Sequence, residues 1–104
     1  MTEYDVQVGS VGVPIELTIR DKRTGELVDL TDATVLKMRL RGPQGATLER
    51  TATAPSPTNG VVRYVTVAGD LQYHGRNQAQ AFATFDDGSM FPSSIYEFDV
   101  GPNL

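Results

Sequence analysis

The residue types in this chain limit the chemistry it could perform. Its 104 residues include one histidine, His74, and no cysteine, so the sequence excludes a cysteine nucleophile, a disulfide and a cysteine-based zinc site. A metal site or a catalytic triad at His74 would need a second histidine or a carboxylate placed beside a nucleophile. The neighbours of His74 are Tyr73 and Gly75, so we predict a structural or incidental role for this histidine.

Five aspartates fall in predicted loops, where oxygen ligands could bind calcium. Their spacing matches no calcium-binding loop, and aspartate side chains commonly accept hydrogen bonds from the amides of a turn. We therefore favour turn capping over a metal site for Asp29, Asp32, Asp70, Asp86 and Asp87. The serines lack the Gly-x-Ser-x-Gly context of a nucleophile elbow, so the sequence predicts no catalytic residue, no metal, no cofactor and no enzyme activity.

Three basic side chains share one side of a predicted strand and form the candidate contact site. They are Lys37, Arg39 and Arg41, which we call the basic stripe. In one interpretation the stripe is the solvated outer face of an antiparallel sheet, which is the default for such a pattern. In the other interpretation it contacts an acidic partner, where complementary charge fixes the register of docking. The sequence leaves both interpretations open.

The elements that must position these residues are strands. Apolar and polar residues alternate with a period of two along most of the chain, whereas no segment keeps the period of a helix beyond a single turn near residues 68–71. In three strands the apolar residues occupy alternate positions and therefore share one face, which predicts that they form one core. Its predicted members are Ile15, Leu17, Leu36, Met38 and Phe98.

Glycines after Asn or Asp predict the tight turns between strands. Gly60 follows Asn59 and Gly88 follows Asp87, and such pairs favour a positive φ. We expect residues 46–54 to form one edge strand, and the proline-containing segment 55–60 to lie outside the sheet ladder because proline has no amide donor. The pattern predicts a single domain over residues 1–104, with about seven strands in an all-β, immunoglobulin-like antiparallel sandwich.

Composition and charge limit the classes of partner. The net charge is −4, which argues against general nucleic-acid binding because that requires a basic surface. No apolar run approaches the roughly 18 residues of a membrane span, so we expect no membrane partner. The first five residues are acidic and lack the basic and apolar regions of a signal peptide, so we expect no secretion signal.

The order of strands and turns resembles the immunoglobulin-like domain at the N-terminus of phage baseplate upper proteins and related phage tail and virion domains. The resemblance covers about residues 7–100. The segments that carry it are Pro14-Ile15-Glu16-Leu17-Thr18-Ile19, Thr24-Gly25, Val28-Asp29-Leu30-Thr31-Asp32-Ala33-Thr34-Val35, Arg41-Gly42-Pro43-Gln44-Gly45, Gly60-Val61-Val62-Arg63-Tyr64 and Asp86-Asp87-Gly88.

The resemblance implies a non-enzymatic structural protein of a phage virion, in the tail, baseplate, neck or capsid. Its expected partners are other virion proteins and further copies of itself in a homo-oligomer. Its expected location is the virion, after synthesis in the host cytoplasm. The alternative is a ligand-binding sandwich for carbohydrate or host-surface attachment, although the chain has four tyrosines and no tryptophan for an aromatic platform.

Overall fold

The structure is a computed structural model that describes residues 6–103 of the chain. These residues form a β-sandwich with a larger and a smaller sheet. No helix in this range is long and apolar enough to cross a membrane. The strands are β1 (Val6–Gln7), β2 (Pro14–Thr18), β3 (Ala33–Arg41), β4 (Thr47–Thr51), β5 (Thr53–Ser56), β6 (Val61–Val65), β7 (Gly75–Phe85), β8 (Met90–Pro92) and β9 (Tyr96–Gly101).

The larger sheet holds the basic stripe near its middle. Its order is β1-β9-β7-β3-β4, and β8 pairs with β7 beyond the end of β9. Strand β3 therefore lies between β4 and β7 and is antiparallel to both. In this register Arg39 lies opposite Glu49 on one side and Gln80 on the other. The smaller sheet has the order β2-β6-β5.

The core lies between the two sheets, as the alternation predicts. Ile15, Met38 and Phe98 are buried, and Leu17 and Leu36 pack against them as partly buried residues. The predicted core is therefore confirmed. The inner side of β7 presents small residues at which neighbouring side chains can approach the backbone closely: Ala79, Ala81 and Ala83, all buried.

The two predicted turn glycines have the expected conformation. The φ of Gly60 is 71° and that of Gly88 is 87°, in the left-handed region where side chains other than glycine are strained. Gly60 follows a short 3₁₀ turn, Pro57–Asn59. This 3₁₀ turn is the helical element of the described chain. The chain also turns near residues 68–71 as expected, where the amide of Asp70 donates to the carbonyl oxygen of Val67 at 3.2 Å.

Three details of the predicted topology are wrong. Strand β1 is parallel to β9, so the larger sheet is mixed rather than purely antiparallel. The expected strand over residues 46–54 is divided at Ala52. This residue is buried, and it connects β4 in the larger sheet to β5 in the smaller sheet. Pro55 lies within β5, and the sheet tolerates it because β5 is an edge strand, where a missing amide donor can face away from the ladder.

Candidate functional site

The basic stripe lies on the outer face of the larger sheet. Lys37, Arg39 and Arg41 are exposed, while the residues between them point into the core. Their neighbours on β7 are the outward side chains of Phe82, opposite Lys37, and of Gln80, opposite Arg39. The sheet thus places aromatic and polar groups directly beside the stripe.

Glu49 on β4 neutralises part of the stripe. Its carboxylate lies 2.9 Å from Nη2 of Arg39 and 3.8 Å from Nζ of Lys37. The hydrogen bond from Arg39 and the charge of both neighbours hold the pKa of Glu49 below its ordinary value. The guanidinium of Arg39 also lies over the ring of Phe82, with Cζ 4.6 Å from the ring centroid, which is within the range of a cation–π contact. Arg39 is therefore fixed from two sides.

Arg41 differs from the other two cations of the stripe. Within residues 6–103 it forms no ion pair and donates no side-chain hydrogen bond. Lys37 and Arg39 thus share one carboxylate, so the stripe keeps an excess of positive charge. That excess is local, because an acidic pair, Glu97 and Asp99, accepts hydrogen bonds from Arg76 at 2.6 and 2.8 Å elsewhere in the same sheet.

A shallow cleft on this face adjoins the stripe. Its volume is about 400 Å³. Two apolar side chains on its wall are open to solvent, Val35 with 42% and Met90 with 56% of its surface exposed. The full lining is Val35, Lys37, Arg39, Glu49, Phe82, Thr84 and Met90. The outer face therefore combines exposed apolar groups with partly neutralised positive charge, and we call it the outer binding face.

An ion pair between the buried Asp70 and the half-buried Arg50 connects the two sheets. The side chain of Asp70 has no exposed surface and accepts a hydrogen bond from Nε of Arg50 at 2.9 Å. It also accepts hydrogen bonds from the backbone amide of Val67 at 2.9 Å and from the hydroxyl of Tyr64. Arg50 is on β4 and Tyr64 is on β6, so this carboxylate joins one strand of each sheet to the corner that follows β6.

The environment shifts the pKa values of both acidic groups in this network. Burial and the neighbouring Asp70 carboxylate raise the pKa of Tyr64 to about 12. Burial alone would raise the pKa of Asp70, but the hydrogen bonds from Tyr64, Val67 and Arg50 outweigh it and hold that pKa below its ordinary value. At neutral pH the network therefore contains a carboxylate, a guanidinium and a neutral phenol.

These shifts predict a loss of stability in alkali. The pKa of Tyr64 in the folded state, about 12, exceeds that of an unfolded tyrosine, near 10. The neutral phenol therefore contributes fully to the free energy of unfolding below about pH 10, and this contribution is lost as the pH rises toward 12. In this window the free energy of unfolding of the original protein should fall with rising pH more steeply than that of Tyr64→Phe. We expect the two slopes to differ by up to about 1.4 kcal/mol per pH unit. Urea denaturation of both proteins at several pH values measures this, and equal slopes would contradict it.

The other residues considered from the sequence lie apart from the outer binding face. Asp29 accepts hydrogen bonds from the amide and hydroxyl of Thr31, and Asp87 accepts the same pair from Ser89, so both cap turns as predicted. His74 is exposed. Within the described range there is no group of three or more His, Cys, Asp or Glu residues that could hold a metal ion.

Comparison with known proteins supports the fold. The chain matches no protein-family model and no curated protein sequence. Among solved structures it is similar to the crystal structure of CopC from Methylosinus trichosporium OB3b, with a TM-score of 0.57 and 14% sequence identity over 98% of this chain and 90% of that chain. The likeness confirms the predicted immunoglobulin-like β-sandwich.

The same comparison corrects the predicted function. A structural role in a phage virion is wrong, because the fold matches that of CopC, which is not a phage domain. The tail and baseplate assignments have no support either. We take neither the virion role nor the alternative of carbohydrate or host-surface attachment further.

Proposed function

We propose that this chain is a non-enzymatic protein-binding domain that recognises its partner through the outer binding face. The observation that carries the proposal is the cleft of about 400 Å³ in which exposed apolar side chains lie beside the basic stripe. A binding domain needs a surface with both an apolar anchor point and a feature that fixes orientation. The outer binding face provides both.

The apolar part of this face favours a protein partner. Single exposed apolar residues are common, but a contiguous patch with a polar rim is typical of an interaction site. Val35, Phe82 and Met90 form such a patch, and Lys37, Arg39 and Glu49 border it within the same cleft. Methionine adapts its shape to different contacts, and aromatic residues and arginine are enriched where interfaces bind most strongly.

The charge of the stripe defines the complementary chemistry of the partner. Lys37 and Arg39 share Glu49, and Arg41 has no carboxylate partner in the described range. A partner carboxylate near Arg41 would therefore complete an ion pair that the domain itself lacks. We propose a segment with an apolar side chain that enters the cleft and an aspartate or glutamate beside it.

The same charges argue for a protein over a nucleic acid. Nucleic-acid binding depends on cations that neutralise successive phosphates. Here Glu49, Glu97 and Asp99 lie in the same sheet as the stripe, and the chain has a net charge of −4. A long polyanion would meet all three carboxylates, whereas a short segment in the cleft would meet only Glu49, which Lys37 and Arg39 already pair with.

Selection from a library of displayed linear peptides tests this proposal. We expect the domain to enrich peptides in which Leu, Phe or Met lies next to Asp or Glu. We expect the double variant Arg39→Glu and Arg41→Glu to bind a selected peptide at least about tenfold more weakly. The affinity of the original domain should fall with added salt, because the contacts that orient the peptide are partly exposed.

The control reverses two charges away from this face. Lys22→Glu and Arg63→Glu produce the same change in net charge, and both residues are exposed and outside the cleft. We expect this control to bind the selected peptide as the original domain does. Equal weakening by both double variants would assign the effect to net charge, and enrichment of peptides without acidic residues would also contradict the proposal.

A further inference from the structure

A second cleft lies at one end of the sandwich, away from the outer binding face. It opens between the turn that joins β3 to β4 and the corner at residues 69–73, and its volume is about 160 Å³. The lining residues that bear on ligand binding are Leu40, Gly42, Ala46, Asp70, Leu71, Asn77 and Phe98. We call it the end cleft.

The base of the end cleft is apolar. Leu40, Leu71 and Phe98 are buried core residues, with 4%, 2% and 5% of their surface exposed. Each of them also lines the cleft, so the cleft reaches the hydrophobic core. An apolar group that enters it would leave water on contact with these side chains, which is favourable in proportion to the buried area.

Asn77 gives the end cleft an unused hydrogen-bond acceptor. Only 5% of its surface is exposed. Its Nδ2 donates to the carbonyl oxygens of Gly75 at 3.2 Å and Tyr73 at 3.5 Å. Its Oδ1 accepts no hydrogen bond from any side chain or amide within residues 6–103, and it faces Gly42, 3.8 Å from the position that a Cβ there would take.

No buried side-chain nitrogen or oxygen atom in the described residues lacks a hydrogen-bond partner, so Oδ1 of Asn77, which accepts from no protein group there, is open to solvent in the cleft. A ligand that displaces water from this oxygen without replacing its hydrogen bond would lose affinity. Asp70, the other acidic group in the lining, does not offer a comparable site, since its oxygens already accept hydrogen bonds from Arg50, Tyr64 and Val67. The polar requirement of the end cleft is therefore one donor, directed at Oδ1 of Asn77.

We infer that the end cleft binds a small uncharged molecule that consists of a single ring with one hydrogen-bond donor. Size supports this class, because an apolar cavity of about 150 Å³ accommodates benzene and the end cleft has about 160 Å³. The ring contacts Leu40, Leu71 and Phe98, and the donor replaces solvent at Oδ1 of Asn77. The Asp70 carboxylate in the wall disfavours an anionic ligand.

Phenol and toluene form a matched pair of probes, because they differ in a hydroxyl and a methyl group of similar size. Each is titrated into the ¹⁵N-labelled protein, and the amide shifts are followed by NMR. We expect phenol to shift the amides of Gly42, Ala46 and Asn77 and those of the corner at residues 69–73. We expect it to bind about three- to tenfold more tightly than toluene, which is the contribution of one hydrogen bond.

Two variants should block the cleft while the protein stays folded. A side chain at Gly42 would meet only Oδ1 of Asn77 at an ordinary contact distance, and the φ of Gly42 is outside the left-handed region, so Gly42→Val fills the cleft without backbone strain. Ala46→Leu does the same from an exposed position. Thr47→Val is the matched control, because Thr47 is exposed and does not line the cleft.

We expect both blocking variants to abolish the phenol shifts and Thr47→Val to keep them. Equal affinity for phenol and toluene would overturn the role of Asn77. Phenol shifts that persist in a folded blocking variant, or that lie outside the end cleft, would overturn the site itself. These outcomes are independent of peptide binding at the outer binding face.

Discussion

Replacement of Asp70 with asparagine is expected to lower the free energy of unfolding by about 1 to 3 kcal/mol, the range observed when buried hydrogen-bond donors lose their acceptor. The change keeps the shape of the side chain, so packing is preserved. It removes the charge that Arg50 pairs with, and it places an amide donor among groups that already donate to this position. Urea denaturation at neutral pH measures the loss.

Asp87→Asn is the matched control. Asp87 also accepts hydrogen bonds, from the amide and hydroxyl of Ser89, but it is exposed in a turn. We expect this variant to lose less than about 1 kcal/mol, because surface substitutions rarely cost more. Similar losses at the two positions would show that Asp70 serves as an ordinary turn cap and not as the link between the sheets.

Replacement of Gly60 with alanine is expected to cost about 2 to 5 kcal/mol, through two effects that add. A positive φ costs a side-chain residue about 1 to 2 kcal/mol, and crowding in a packed site adds about 1 to 3 kcal/mol. The crowding arises because a Cβ at Gly60 would lie 2.8 Å from the carbonyl oxygen of Ile19 and 2.9 Å from that of Val28. Backbone atoms cannot move aside as a flexible side chain can.

Gly88→Ala separates the two effects. Gly88 has a similar φ, 87° against 71° for Gly60, but a Cβ there would have no atom within 4 Å. We expect Gly88→Ala to cost about 1 to 2 kcal/mol, the conformational part alone. The difference between the two variants in chemical denaturation therefore reports the crowding at Gly60. If both variants lose the same free energy, the close approach of the backbone has no energetic consequence.

These glycines show what sequence patterns can and cannot predict. Asn59-Gly60 and Asp87-Gly88 are local turn signals, and both were correctly predicted to have a positive φ. The contact of Gly60 with the backbone of Ile19 and Val28 was not predictable, because it depends on how distant segments pack. Local residue chemistry determines the turn, and tertiary packing determines how much stability a substitution at Gly60 would lose.

At the candidate site, too, the sequence predicts local features but not the contacts between distant strands. Alternation along β3 predicted that Lys37, Arg39 and Arg41 point outward, and they do. The pairing of Glu49 with the stripe depends on the register of β3 with β4, which a single sequence does not provide. The cleft beside the stripe also requires Phe82 and Met90 from β7 and β8, two strands that follow much later in the chain.

The ion pair was missed because Arg50 lies on β4 and Asp70 lies in the corner after β6, and only the tertiary fold brings these segments together. Asp70 was correctly placed in a corner and interpreted as a turn cap, and it does accept the amide of Val67. The alternation along β4 places Arg50 on the same side as Leu48, which was a usable signal of an inward charge. An inward charge on an edge strand also discourages pairing with other chains, and here it is satisfied by Asp70.

The comparison with CopC separates fold from function. The predicted sandwich is confirmed by a protein of 14% sequence identity. The fold was predictable because alternating strands and turn glycines recur in many such proteins. The virion role inferred from the same features is wrong. A fold supports many functions, so function has to be argued from surfaces such as the outer binding face.

The most direct test of the protein-binding proposal is to locate a selected acidic and apolar peptide on the domain by methyl NMR. If the peptide binds the outer binding face, the methyl signals of Val35 and Met90 will shift on titration. Those of Val65 and Val67, which are equally open to solvent with 42% and 50% of their surface exposed, will stay unchanged. Shifts at Val65 and Val67 without shifts at Val35 and Met90 would place binding elsewhere and contradict the proposed function.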